Sequence, residues 1–209
     1  MPVGSAISSE RDLADEFGVS RMTARRAVVE LVREGLLERH VGRGTFVARP
    51  RVELRLALSS FSEDMRAKGL VPGAVLLGFH SERADAGQRF EQGTPLTVVV
   101  RLRTADGVAL AMERTRLDAR LVPGLTVADV GGSLYETLHD RYDLRFDSGE
   151  QRIVATACPA DVARELGVDA GVPILRMERL TRARGHLLEQ TFSWYRADAY
   201  ELTAILPGS

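Results

Sequence analysis

The stretch from Ser8 to Ala48 constrains the fold of this chain more tightly than anything else in it. Ser8 to Phe17 has a serine cap and acids in its first turn, and Leu13, Ala14 and Phe17 fall on one helical face. Gly18-Val19 interrupts that helix, because glycine relaxes the chain at a helix C-terminus. Ser20 caps a second helix, in which Ala24, Ala27, Val28, Leu31 and Val32 repeat at helical spacing and are expected to be buried. After Gly35, Leu36 to Val41 and Thr45 to Ala48 read as two short strands around Gly42-Arg43-Gly44. Two helices joined at a glycine and followed by a hairpin predict a winged helix-turn-helix.

The exposed side of the second helix carries the chemistry. Arg21 and Arg25 are four apart and share a side, with Thr23 in the same first turn. The major groove of B-DNA admits a helix, an arginine can fork to guanine O6 and N7, and serine or threonine can bond phosphates. The chain has no asparagine, so reading of adenine by that side chain is excluded. Arg43 at the tip of the hairpin suits a narrow, strongly negative minor groove. Each feature alone has a bland reading, a solvated helix face or an ordinary turn. Their order within one short segment is what makes them specific.

Charge agrees with this placement. The net formal charge is −1, yet Ser20 to Arg49 holds seven arginines against three glutamates. Positive charge is therefore concentrated in one segment, while an acidic balance after Arg51 argues against a sequence-blind DNA-coating protein. No apolar run is long enough to span a membrane, and the single cysteine, Cys158, cannot form an internal disulfide, so a cytoplasmic location is expected. The four histidines, His40, His80, His139 and His186, show no metal spacing, and no cofactor is expected.

Arg49-Pro50-Arg51 reads as a linker, since proline stops the wing strand. The expected organisation is a DNA-binding domain over 1–48, a linker over 49–53 and a second domain over 54–206. In that second domain, Ser60 to Gly69 is a capped helix and Val75 to Phe79 a strand. Leu96 to Arg103 and Ala109 to Leu117 form a hairpin across Ala105-Asp106-Gly107. Ser133 to Glu136 reads as a capping box opening a helix to Arg141, and Pro159 to Leu166 as a helix with proline in its first turn. Ile153 to Thr156, Ile174 to Thr181 and Leu187 to Arg196 are further strands. Strands joined by short turns and flanked by helices predict an antiparallel α+β domain.

Three features there could bind a ligand. Arg101 and Arg103 are two apart on a strand, so both guanidinium groups leave the same face, an arrangement suited to phosphate or carboxylate. A solvated strand edge would give the same pattern. Glu113 lies across the hairpin in range of that face, as a ligand contact or a salt-bridge partner. Ser133 offers a hydroxyl beside free helix N–H groups, as an anion site or a plain cap.

Residues Ser9 to Ala14, Val19 to Ala27, Glu34 to Leu37 and Gly42 to Val47 resemble the GntR family of winged-helix repressors. The resemblance implies that Arg11, Ser20, Arg21, Thr23, Arg25 and Gly42 touch DNA. Members carry a further helix before the segment matching Pro2-Val3-Gly4, so the module is expected to be incomplete and less stable, unless its start is mis-assigned. Ser60 to Met65, Arg101 to Gly107, Ala111 to Glu113, Ser133 to Tyr135 and Tyr195 to Asp198 resemble the UTRA effector domain of the HutC subfamily, a chorismate lyase-like fold. This implies that Arg101, Arg103, Ser133 and the Phe61-Ser62 helix start hold a phosphate, and that Glu113, Tyr135 and Tyr195 approach a sugar.

The resulting expectation is a homodimeric transcription repressor that binds operator DNA and answers to a small effector, an amino-sugar phosphate or similar anion. An enzyme on the same fold is the rival reading, and the DNA-binding module is what an enzyme has no need of.

Overall fold

The structure, a computed structural model, describes residues 1–40, 42–48, 52–55 and 59–203. Val41 of the wing, Arg49-Pro50-Arg51 of the linker and residues 56–58 and 204–206 of the expected second domain lie outside the described residues. The chain parts into two compact units, Met1–Arg51 and Val52–Ser209. Val52 and Glu53, placed with the linker on sequence grounds, instead open a strand.

In the first unit, α1 (Glu10–Phe17) is capped by the Ser9 hydroxyl, which accepts from the Asp12 amide, and ends on Gly18 in the left-handed conformation at φ 63°. Helix α2 (Arg21–Arg33) starts from Ser20 in the same way, with Thr23 as the capped amide. Strands β1 (Leu37–His40) and β2 (Gly44–Val47) form the expected antiparallel hairpin. The segment before α1 adds to it: Ile7 N–H donates to the Thr45 carbonyl and Val47 N–H to the Ser5 carbonyl, both at 2.9 Å. An ion pair at 2.8 Å between Arg39 and Glu10 ties β1 to α1.

One expectation about this unit fails. Ala24 and Val28 are buried, but Ala27 and Leu31 on the same side of α2 are exposed, as is Phe17 of α1. Together with Ile7, Leu13 and Val47 they line an open apolar groove of about 620 Å³. The periodicity that marks a helix face as apolar does not say what packs on it, and no described residue of this unit fills the groove.

The second unit is built on a six-stranded sheet in the order β4-β5-β6-β9-β8-β7, antiparallel throughout. The strands are β4 (Pro72–Arg83), β5 (Pro95–Ala105), β6 (Val108–Asp118), β7 (Ser148–Ala157), β8 (Pro173–Ala183) and β9 (His186–Arg196). The β5–β6 turn needs positive φ at both Asp106 (48°) and Gly107 (77°), which selects a short-side-chain residue followed by glycine. Separately, β3 (Val52–Arg55) pairs in parallel with β10 (Tyr200–Thr203), joining the start of the unit to its end. A parallel pair between residues this far apart in sequence has no local signal, and neither strand is visible in the periodicity.

Helices cover the sheet on both faces. On one, α3 (Phe61–Ala67) packs Phe61 and Met65 against Ala111, Met177, Tyr195 and Tyr200. On the same face, Leu134, Tyr135 and Leu138 of α4 (Leu134–Tyr142) pack against Val99, Leu117 and Leu188. On the opposite face, α5 (Ala160–Leu166) buries Val162, Ala163 and Leu166 on Val98, Val100, Met112 and Ile174. Two cap expectations are corrected. Pro159 is the N-cap of α5 rather than a first-turn residue. Ser133 caps α4 through the Glu136 amide, but Glu136 pairs with Arg66 instead of reaching back, so no reciprocal box forms there. The box does form at α3, between Ser60 and Glu63.

Candidate functional site

Between the α3 and α4 clusters the core face of the sheet turns polar. Arg101 and Arg103 on β5 and Glu113 and Thr115 on β6 leave that face together, because Arg101 stands directly opposite Glu113 in the hairpin register. Far from a solvated strand edge, Arg101 is 5% exposed and Arg103 2%. The Arg101 guanidinium donates to Glu113 at 3.2 Å and to the carbonyls of Gly132 and Val130 at the α4 entrance. Arg103 donates to the Ser62 hydroxyl at 2.9 Å and lies over the Phe61 ring at 4.7 Å. The strand pair thus fixes both guanidinium groups, and the two helix starts bracket them.

Strands β8 and β9 supply residues that sequence reasoning missed. Arg179 and Glu189 line the same pocket as Arg101, Arg103, Glu113, Ser133 and Tyr135. Arg179 pairs with Glu189 at 3.4 Å and lies over the Tyr135 ring at 4.9 Å, and the Tyr135 hydroxyl also donates to Glu189, at 3.4 Å. A signal existed for one of them: Glu189 interrupts the apolar run Leu187-Leu188, and a charge inside a buried strand requires a partner. Arg179 shares its strand face with Met177 and Thr181, but nothing in that alternation separates it from a surface arginine.

Three guanidinium groups therefore face two carboxylates in one buried cluster. Burial drags the Arg101 guanidinium down from its ordinary range, with Glu113 opposing and the neighbouring Arg103 reinforcing the shift. Burial also works against the charge of Arg179, but Tyr135, Glu189 and Glu113 outweigh it and hold its guanidinium above the ordinary range. The Tyr135 phenol is pushed up by burial and stays protonated, a donor throughout the physiological range. Hydrogen-bonding capacity is left over: Nε of Arg101, Arg103 and Arg179 and one oxygen of Glu189 are buried without a hydrogen bond among the described residues, although Nε of Arg103 lies 3.7 Å from Glu113. The free volume is only about 20 Å³, room for roughly one water.

Of the residues singled out in the sequence, Phe61, Arg101, Arg103, Glu113, Ser133 and Tyr135 line this pocket. Ser62 reaches it through Arg103. Tyr195 is not part of the lining; its ring stacks on Tyr200 at 4.1 Å in the adjoining core. In the first unit, Arg11, Ser20, Arg21, Thr23, Arg25, Gly42 and Arg43 are all exposed. Ser20 and Thr23 are joined through their hydroxyls at 2.8 Å, which orients both at the start of α2. Arg43 stands at the hairpin tip after Gly42, whose φ of 75° permits the tight turn.

A helix-turn-helix with a wing, followed by an α+β unit holding an internal charged pocket, defines a ligand-responsive DNA-binding regulator. Comparison with known proteins gives the family. Residues 1–47 match the gntR family of bacterial regulatory proteins and residues 67–201 match the UTRA domain. The chain is similar to the HTH-type transcriptional repressor NagR of Bacillus subtilis, 33% identical over 200 residues, covering 93% of this chain and 82% of that protein. It is similar also to the mannosyl-D-glycerate transport/metabolism system repressor MngR of Escherichia coli, 30% identical over 208 residues, covering 97% of this chain and 87% of that protein. The crystal structure of PhnF from Mycobacterium smegmatis superposes with a TM-score of 0.77 at 32% identity, covering 100% of this chain and 95% of that one. The chain belongs to the GntR family, with a UTRA effector domain, and it is a DNA-binding transcriptional regulator controlled by a small-molecule effector, not an enzyme.

Proposed function

We propose that the pocket between α3 and α4 takes a small phosphorylated ligand, an amino-sugar phosphate or similar anion, and that its occupancy lowers the affinity of a cytoplasmic homodimer for a palindromic operator. The observation that carries this reading is the excess of buried positive charge, three arginines against two glutamates, with three guanidinium N–H groups that make no hydrogen bond among the described residues. Such a cluster is stabilised by an added anion, and planar forks favour phosphate. Arg101, Arg103, Ser62 and Ser133 hold that anion; Glu113, Tyr135 and Glu189 present acceptors and a donor to its polar remainder. The relative named for mannosyl-D-glycerate, a sugar acid, is consistent with this chemistry. Because the free volume is far below that of a sugar phosphate, binding requires α3 or α4 to move outward.

Such a movement has a short covalent route to the DNA-binding unit. Helix α3 begins six residues after β3 ends, and β3 begins five residues after β2 of the wing ends. In the DNA complex Arg21 and Arg25 read bases in the major groove, Arg11, Ser20 and Thr23 contact phosphates, and Gly42 and Arg43 bring the wing to the minor groove. A thermal-shift screen of sugar phosphates and organic acids tests the reading, since a ligand stabilises in proportion to its affinity. A phosphorylated sugar is expected to raise the melting temperature of the wild type and not of Arg101→Ala. Equal responses of Arg101→Ala and wild type to every phosphorylated compound would remove the anion assignment.

A further inference from the structure

Helix α2 exposes apolar residues on two sides, and the two sides differ. Ala27 and Leu31 line the apolar groove described above. Met22, 59% exposed, and Val29, 49% exposed, do not line it. Seven residues apart, they share the side of α2 turned away from the buried Ala24 and Val28. That side is otherwise basic: Arg25 and Arg26 lie between Met22 and Val29, and Arg21 precedes them. Among the described residues none of these three arginines makes an ion pair, whereas Arg33, in the last turn, pairs with Glu30. On an ordinary surface a lone exposed methionine needs no explanation. Here it stands among free guanidinium groups in the first turn of the helix that meets DNA.

We infer that Met22 reads thymine, its thioether packing on the C5-methyl group of a thymine beside the bases contacted by Arg21 and Arg25. Position supports this first. Met22 is the second residue of α2, and a recognition helix touches base edges through its N-terminal residues. Geometry supports it next. Arg25 and Arg26, three and four residues on, flank Met22 on the helix surface, so whatever base edge the arginines approach lies within reach of the methionine. Chemistry then selects the partner. The major-groove edges of the base pairs present donors and acceptors, and the thymine methyl is the only alkyl group among them. A thioether donates no hydrogen bond and accepts only weakly, so it gains little from the polar edges and most from the methyl. The unbranched methionine side chain can also adjust to the groove floor in a way a β-branched residue cannot. The inference rests on the major-groove placement of α2 proposed above, and it adds a base that the guanine-reading arginines do not specify.

The test uses the full chain and the duplex it selects from a randomised double-stranded DNA library. That duplex is resynthesised with uracil in place of thymine, one position at a time, which removes only the C5-methyl group. Affinities are read by anisotropy at constant salt. Wild type is expected to lose affinity roughly four-fold at one thymine of each half-site, the effect of one buried methyl-sized group. Met22→Ala should bind the thymine and uracil duplexes alike at that position, and Met22→Leu, which keeps an apolar tip, should retain the difference. No uracil penalty at any position in wild type, or a penalty undiminished in Met22→Ala, overturns the inference. If the selected sequence depends on Arg21 and Arg25 while uracil is tolerated throughout, the assignment of Met22 falls and the placement of α2 stands. A chain that selects no sequence from the library overturns both.

Discussion

Arg101 and Arg103 are buried where a guanidinium group is tolerated only if its partners are fixed in advance, and the hairpin register fixes them. Lysine at 103 would keep the charge but lose the fork that spans Ser62 and a bound anion, so Arg103→Lys should weaken binding of the responding sugar phosphate roughly ten-fold by calorimetry. An affinity unchanged by this variant would mean that Arg103 acts only as a charge. A second residue-scale expectation concerns acid. Burial opposes the Asp118 carboxylate, but the hydrogen bonds and charge of Arg120 outweigh it and hold its pKa below the usual carboxylate range. A depressed acid contributes stability above its unfolded pKa of about 4 and loses it as pH falls through the lower folded value. Wild type should therefore be more stable than Asp118→Asn at pH 7, and the two proteins should converge as pH falls below about 4 in chemical melts. At this scale the sequence was legible where parity alone decides: residues 101 and 103 must share a face. It was silent where pairing between distant strands decides, which is why Arg179 and Glu189 entered only with the sheet order.

Elements followed the same division. Caps and turns are local chemistry, so Ser9, Ser20 and Ser60, and the glycine turn at 107, could be placed from the residues alone. The β3–β10 pair could not, because its register depends on where the chain returns after the whole sheet is built. The apolar face of α2 was legible as apolar, but its burial depends on a covering element and not on its own period. Helix α3 carries the most specific element-scale expectation. Its capping box fixes the first turn, and that turn presents Phe61 and Ser62 to Arg103. Ser60→Ala should cost about 1 kcal/mol in urea melts and also weaken ligand binding. Ser9→Ala removes the equivalent cap of α1 in the first unit and should lower the stability of that unit without changing ligand affinity. Equal loss of ligand binding in both variants would show that general stability, not the start of α3, sets the affinity.

At the scale of the molecule, two compact units divide the work, and the division is open to measurement. Arg21→Ala and Arg25→Ala should abolish operator preference and reduce the salt dependence of DNA binding, while ligand binding stays intact. Loss of ligand binding in either variant would contradict separate modules. The coupling between the units is the claim on which the regulatory account turns, and linkage makes it reciprocal. The most direct measurement is calorimetric titration of the responding sugar phosphate into the protein, with and without saturating operator, beside anisotropy titration of operator with and without that ligand. The account predicts that each weakens the other by the same factor, roughly 5- to 150-fold. Ligand affinity unchanged by saturating operator would contradict it.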